Sequence, residues 1–286
     1  MATALDKIGT YLRMIKFSHS IFALPFAFTA AILAANGLPS LRQGLWIAVA
    51  MIGARSAAMG LNRVVDRKID ALNPRTSARE LPTGAISVTD ATLFVVVSTV
   101  VFFVAAYMLN PLCLKLAPLA IGVIFFYSYT KRFTWVCHIV LGVAIALAPL
   151  GAWIAIRGDF SYRILPLVVA VIFWLAGFDT IYGLQDTDFD RSHGLYSIPQ
   201  RFGVQTALII ARGFHVLAWM LLVFTGRVFD LGIVYYIGMV GVALFFWYEH
   251  SIINKDDLTR INIAFFNANG YISLTVFAFV LLEKSL

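Results

Sequence analysis

Cysteine is scarce in this chain. Cys113 and Cys137 are the only two in 286 residues, both in apolar surroundings. That excludes a disulfide framework and a CxxC pair for zinc or redox work. Charge is scarce too. Asp, Glu, Lys and Arg make up 13% of the chain, where soluble domains carry about a quarter. An ordinary soluble enzyme is excluded on that ground. Long stretches rich in Pro, Gly or Ser are also missing, so a single domain over residues 1–286 is expected.

What is present is apolar. Hydrophobic residues make up 60% of the chain and the mean hydropathy is +0.85. Apolar runs near twenty residues recur throughout, long enough to cross a hydrocarbon core of ~30 Å as helices. The runs are continuous rather than alternating, which points to helices and not to a barrel. The expected fold is all-α and integral to the membrane. Nine transmembrane helices in one bundle are placed at about 17–36, 44–61, 91–110, 114–130, 136–156, 164–185, 204–225, 231–249 and 263–282. Residues 1–16 carry Leu5, Ile8, Leu12 and Ile15 at helical spacing among Asp6, Lys7 and Arg13, the pattern of an interfacial helix. The first apolar run, from Phe17, exceeds the core of a signal peptide and is expected to stay as a span. Gly37-Leu38-Pro39, Asn110-Pro111 and Arg157-Gly158-Asp159 mark tight turns on one side.

Net charge is +7. The cations gather in short loops, so topology explains them better than nucleic acid does. With a cytoplasmic N-terminus, fourteen of the 22 basic residues fall inside and six outside, with Arg55 and Arg212 within spans. This follows the positive-inside rule. The longer loops, about 62–90 and 186–203, then face the cytoplasm. The location expected is a bacterial-type inner membrane, crossed many times, with the active site facing the cytoplasm.

Two acidic rows stand out against this background. Asn62, Asp66 and Asp70 are four residues apart, so on a helix they form one stripe. Tyr182, Asp186 and Asp190 repeat the spacing, with Asp179 one turn earlier. Counting Asp188, six of the fifteen acidic residues sit in these two places. Crowded carboxylates repel one another, so bound cations or neighbouring Lys and Arg must offset them. Oxygen-rich sites suit Mg²⁺, which joins carboxylates to substrate phosphates. The cations Arg67, Lys68, Arg75, Arg79 and Lys131 are candidates to hold the remaining diphosphate oxygens. The plainer alternative is local pairing of Asp66 and Asp70 with Arg63, Arg67 and Lys68. Each row closes a span and precedes a loop bearing Gly or Pro, a hint that a four-helix unit is used twice.

The order of these motifs resembles the UbiA superfamily of membrane prenyltransferases. Asn62-x3-Asp66-x3-Asp70 is similar to its first aspartate motif, and Asp179-x2-Tyr182-x3-Asp186-x3-Asp190 to its second. Tyr127-x3-Lys131-Arg132 resembles a shorter third element. Asn73-Pro74-Arg75-Thr76 to Leu81-Pro82-Thr83-Gly84 is similar to the loop after the first motif. The resemblance implies a helical bundle around a central cavity. It implies Mg²⁺ held by Asp66, Asp70 and Asp186, with Asp190 or Asp179. The substrates implied are a polyprenyl diphosphate and a small aromatic acid, with the greasy tail lying between helices toward membrane lipid. Asp66, Asp70, Asp186, Asp190 and Tyr127 are the implied catalytic residues. Tyr127 and Tyr182 would face the allylic cation, Asn62 and Asp179 would help bind substrate, and Arg132 or Arg75 would take the acceptor carboxylate. Many members acting on benzoates carry an acidic residue where this chain has Arg63. That departure, with Lys16-Phe17-Ser18-His19-Ser20-Ile21-Phe22-Ala23-Leu24-Pro25, is similar to the menaquinone branch. The acceptor expected is therefore 4-hydroxybenzoate or a dihydroxynaphthoate, in ubiquinone or menaquinone synthesis, with His19 touching substrate or packing. Competing readings are a porphyrin or chlorophyllide acceptor, and a transporter with a carboxylate-lined cation site.

Overall fold

The computed structural model describes residues 4–16, 23–253, 258, 260, 261 and 268–286. Eleven α-helices are found there, and no strand among the described residues. They are α1 (Ala4–Met14), α2 (Ala23–Ala35), α3 (Leu41–Leu72), α4 (Val88–Leu109), α5 (Pro111–Thr130), α6 (Cys137–Arg157), α7 (Leu165–Gly183), α8 (Thr187–Ser192), α9 (Ile198–Val228), α10 (Ile233–Ser251) and α11 (Asn269–Ser285). Seven described segments are long and apolar enough to cross a membrane: α3 to α6, Tyr162–Ser192 around α7, α9 and α10. Nine spans were expected. The other two positions hold α2 and α11, with 13 and 17 residues described.

The turn signals act as their chemistry dictates. Asn110 caps α5 by accepting from the Cys113 N–H at 2.9 Å, with Pro111 in the first turn. Its amide nitrogen also donates to the Ile154 carbonyl at 2.8 Å, tying this turn to the end of α6. Gly158 closes α6 at φ 72°, a left-handed conformation that glycine adopts without strain. Ser40 and Gln43 form a capping box at the start of α3.

Two elements differ from expectation where the site is built. Residues 62–72 were expected in a loop, yet α3 runs on to Leu72. The segment holds no Gly or Pro, and the first break is Asn73, which precedes Pro74 and takes an extended backbone. At 32 residues α3 is about 48 Å long, so its last turns stand beyond the hydrocarbon core. The second acidic row was expected on one helical face. Instead α7 stops at Gly183, and a 3-10 turn, Leu184–Asp186, leads into the short α8. Glycine weakens the helix there, and the Thr187 hydroxyl donates back to the Leu184 carbonyl at 2.9 Å, competing with α-helical pairing. The loop expected at about 186–203 is thus largely helical, with a bend at Gly203.

The core gathers Phe26, Trp174, Leu222, Tyr235, Met239 and Val276 from α2, α7, α9, α10 and α11. Small residues set the closest approaches. A Cβ on Gly142 of α6 would lie 2.4 Å from the Ile172 carbonyl oxygen of α7, so only glycine admits this contact. At the other end, Tyr11 and Met14 of α1 pack with Ile86, Ala91 and Phe94 against the motif end of α3.

Candidate active site

The first acidic row is a true helical stripe. The Asn62 amide donates to the Asp66 carboxylate at 3.2 Å, one turn along α3. Asp66 and Asp70 are 2% and 4% exposed. Their partners come from elsewhere in the chain. Lys131 and Arg132, just after α5, donate to the two oxygens of Asp66 at 2.5 and 2.8 Å. Arg79 grips both oxygens of Asp70 at 2.8 Å. The local alternative therefore fails. Arg63 is buried and donates to the Met14 carbonyl at 3.2 Å. Arg67 is exposed and bonds the Val64 carbonyl of its own helix, and Lys68 is exposed. These last two, expected near substrate, are not brought into the cluster.

The second row is joined to the first by the loop after α3. Asp186 accepts from Arg75 in a two-pronged ion pair and from the Asn73 amide at 2.9 Å. Arg75 also donates to the Tyr182 hydroxyl at 3.1 Å, with its guanidinium over the Tyr182 ring. A backbone bond of 2.7 Å from Tyr196 to Lys131 draws the loop before α9 to the end of α5. Asp190 accepts from Ser197, which caps α9. Asp179 lies 2.7 Å from His138 Nδ1. Asp188 points to solvent.

Asn62, Asp66, Asp70 and Asp186 offer oxygen donors only, the chemistry that suits Mg²⁺. Among the described residues no three His, Cys, Asp or Glu side chains converge on one point. Four basic side chains neutralise these three carboxylates.

Beside this cluster lies a cavity of about 340 Å³ bounded by α3 to α7. Asn62, Arg63, Arg79, Tyr127, Asp179 and Tyr182 line its polar end, with Lys16 from the turn after α1. Burial, with Arg63, Arg79 and Arg75 nearby, pulls the Lys16 amine down to about 8. The rest is apolar, with Ile47, Met51, Phe102, Leu116, Ile124 and Ile145 among its walls. From Arg63 to Ile47 along α3 it extends about 24 Å. Midway stands Arg55, two turns before Asn62 and so about 10 Å away on the same face. It makes no ion pair among the described residues, and its Nε has no hydrogen-bond partner.

The sequence reading missed Arg55 as a site residue, although an arginine inside a span is itself a signal. It missed His138 and Asn73, whose neighbours in sequence reveal nothing of their partners. His19 lies outside the described residues.

A family model described as the UbiA prenyltransferase family matches residues 23–271. The 4-hydroxybenzoate octaprenyltransferase of Vibrio cholerae is 33% identical over 255 residues, 89% of each chain. That of Shewanella woodyi is 31% identical over 276 residues, 95% of this chain and 96% of its own. The apo structure of a UbiA homolog from Aeropyrum pernix K1 superposes with a TM-score of 0.85 at 33% identity, covering 93% of this chain and 98% of that one. A UbiA homolog from Archaeoglobus fulgidus, solved bound to DMAPP and Mg²⁺, shares the fold at a TM-score of 0.68 and 20% identity, covering 93% and 99%.

Proposed function

The chain belongs to the UbiA prenyltransferase family, and from that premise we propose that it transfers a polyprenyl group from polyprenyl diphosphate to a ring carbon of 4-hydroxybenzoate. The observation that carries this reading is the joining of two acidic rows at the polar end of a long apolar cavity. We take α2 and α11 to complete nine spans. We place the acidic rows on the cytoplasmic side of a bacterial-type inner membrane.

Asp66, Asp70 and Asp186 would hold Mg²⁺, with Asn62 and Asp190 beside them. When bound, the ion supplies Lewis-acid neutralisation of the departing diphosphate. Lys131, Arg132, Arg75 and Arg79 now rest on those carboxylates, and each is free to turn to diphosphate oxygens as the acids are taken up. The allylic C–O bond breaks and its electron pair leaves with the diphosphate. The rings of Tyr127 and Tyr182 stabilise the carbocation. The apolar walls hold the tail and exclude water, which would quench the cation. A ring carbon of the phenol supplies the electron pair of the new C–C bond. Asp179, held by His138, takes the ring proton and aromaticity returns.

We move the acceptor carboxylate from Arg132 and Arg75, favoured by the sequence, to Arg55. Arg132 and Arg75 stand at the diphosphate end, on Asp66 and on Asp186 with Tyr182, where the leaving group takes them up. Arg55 faces the cavity uncommitted.

Purified protein given Mg²⁺, a polyprenyl diphosphate and 4-hydroxybenzoate should release diphosphate and form the prenylated acid. A panel with dihydroxynaphthoate and a chlorophyllide separates the other acceptors. Absence of any prenylated product across the panel would remove the reading.

Arg79→Gln should lower the stability of the metal-free protein, because Asp70 stays buried without its partner. Breaking a buried pair costs about 3–5 kcal/mol. Arg79 is itself partly exposed, so the lower end or somewhat less is expected. Mg²⁺ should raise Tm more in this variant than in the wild type, since the ion replaces the lost charge. An equal Mg²⁺ shift in both would place Asp70 outside the metal site.

Lys16 gives a pH dependence. Its folded pKa of about 8 lies below the usual 10.5, so the site loses one positive charge as pH rises through 8. The KM for prenyl diphosphate should then rise about fivefold, the weight of one nearby charge in a wet site. Over the same window, from about 8 to 10.5, the unfolded chain holds the extra proton, so this group makes folding more favourable as pH rises. In Lys16→Met the KM should be flat across pH 7–9.

A further inference from the structure

A second groove lies away from the catalytic cavity, between α9 and α10. Its volume is about 480 Å³, and Arg212, His215, Trp219, Phe246, Trp247 and His250 line it. Its depth in the membrane follows from the helices. His215 of α9 lies 2.9 Å from His250, the next-to-last residue of α10. The start of α9 is anchored to the acidic rows through Ser197 and Asp190. Arg212 precedes His215 by three residues, about one turn nearer that end. It therefore sits at the level where α10 ends, on the motif side of the bundle. Trp247, one turn before the end of α10, is 71% exposed, and indoles favour this depth.

Among the described residues the groove holds a cation with no carboxylate facing it. The Trp174 carbonyl can only accept, so His215 Nε2, 3.2 Å away, carries its proton. His215 Nδ1 then accepts from His250 Nε2. Glu249 is fully buried, accepts from the Asn269 amide at 3.0 Å, and stands 3.6 Å from His215 rather than facing Arg212. Arg212 thus projects from an apolar stretch of α9 as an exposed cation that forms no ion pair or hydrogen bond among the described residues. A cation at interfacial depth, between two helices and flanked by tryptophans, matches a phosphate bearing acyl chains.

We propose that the α9–α10 groove binds an anionic glycerophospholipid, with Arg212 on the headgroup phosphate and the chains along Val216 and Trp219. The charge complementarity selects a lipid with net negative charge over a zwitterionic one. The site is separate from the prenyl diphosphate cavity and is independent of the reaction proposed above.

The test is native mass spectrometry of the full chain in detergent, titrated with phosphatidylglycerol and with phosphatidylcholine of the same acyl chains. The wild type should prefer phosphatidylglycerol about fivefold, the weight of one interfacial cation. Arg212→Gln should bring the two lipids level, while Arg212→Lys keeps the preference. Val216→Trp fills the groove and leaves the charge, so it should lose phosphatidylglycerol uptake even if Arg212→Gln fails to fold. No preference in the wild type, or a preference that survives both Arg212→Gln and Val216→Trp, would overturn the proposal. Displacement of bound phosphatidylglycerol by geranyl diphosphate in the wild type would also overturn it, in favour of a substrate-docking groove.

Discussion

Asp66→Asn is expected to cut prenyl transfer by about a thousandfold or more while leaving the protein folded. The substitution keeps the size and shape of the side chain, removes one negative charge and turns one acceptor oxygen into an amide donor. Asp66 is buried and accepts from Lys131, Arg132 and Asn62 together. On the proposed assignment Asp66 is one of the carboxylates that would hold the metal, and its loss would weaken the neutralisation of the leaving diphosphate, which supplies several kcal/mol to the transition state. Every 1.36 kcal/mol is about tenfold in rate, so several make a thousandfold. Stability should change far less. The side chains of Lys131 and Arg132 are about 30% exposed and rehydrate when their partner loses charge, and Arg132 keeps two backbone carbonyls. Asp188 is the internal control. It lies between Asp186 and Asp190 in sequence, its side chain is 99% exposed, and Asp188→Asn should leave turnover unchanged. Diphosphate release and thermal unfolding, measured on the same preparations, give both numbers. Turnover in Asp66→Asn within tenfold of the wild type would detach the first acidic row from the chemistry.

The asymmetry between Asp66 and Asp188 shows which part of the site sequence could carry. Spacing in fours located Asn62, Asp66 and Asp70 because a straight helix turns that spacing directly into a shared face. The same rule misplaced the second row. Its regularity in sequence suggested one helix, but Gly183 and Thr187 break the geometry, so Asp179 and Asp186 do different things. The spans were legible for a related reason. Twenty apolar residues have few ways to satisfy their backbone in lipid, so hydropathy and turn residues fixed most helices within a few residues. The boundaries that failed, at residue 61 and at residue 204, failed because hydropathy reports where lipid ends and not where a helix ends. Long-range pairings were the least legible. Asn73 with Asp186, Arg79 with Asp70 and Lys131 with Asp66 depend on how three helix ends converge, and no local pattern encodes that.

Arg55→Gln should separate binding of the acceptor from binding of the donor. Arg55 stands in the apolar part of the cavity, about two turns up α3 from the acidic row. An arginine there carries a large desolvation cost, and no carboxylate of the chain offsets it among the described residues. On the proposed reading, the negative charge that would offset it is the carboxylate of the acceptor acid. Removing one member of a buried, hydrogen-bonded charge pair costs about 2–5 kcal/mol. The kcat/KM for 4-hydroxybenzoate should therefore fall about thirtyfold to several thousandfold. The KM for prenyl diphosphate should hold within about threefold, because Arg79, Arg75, Lys131 and Arg132 are untouched. An uncharged acceptor supplies the decisive contrast. For the methyl ester of 4-hydroxybenzoate, glutamine presents no unmet charge, and the variant should match or exceed the wild type. Equal losses for the acid and its ester would mean that Arg55 shapes the cavity without reading the carboxylate. A loss confined to prenyl diphosphate would return the acceptor role to the cations at the end of α5.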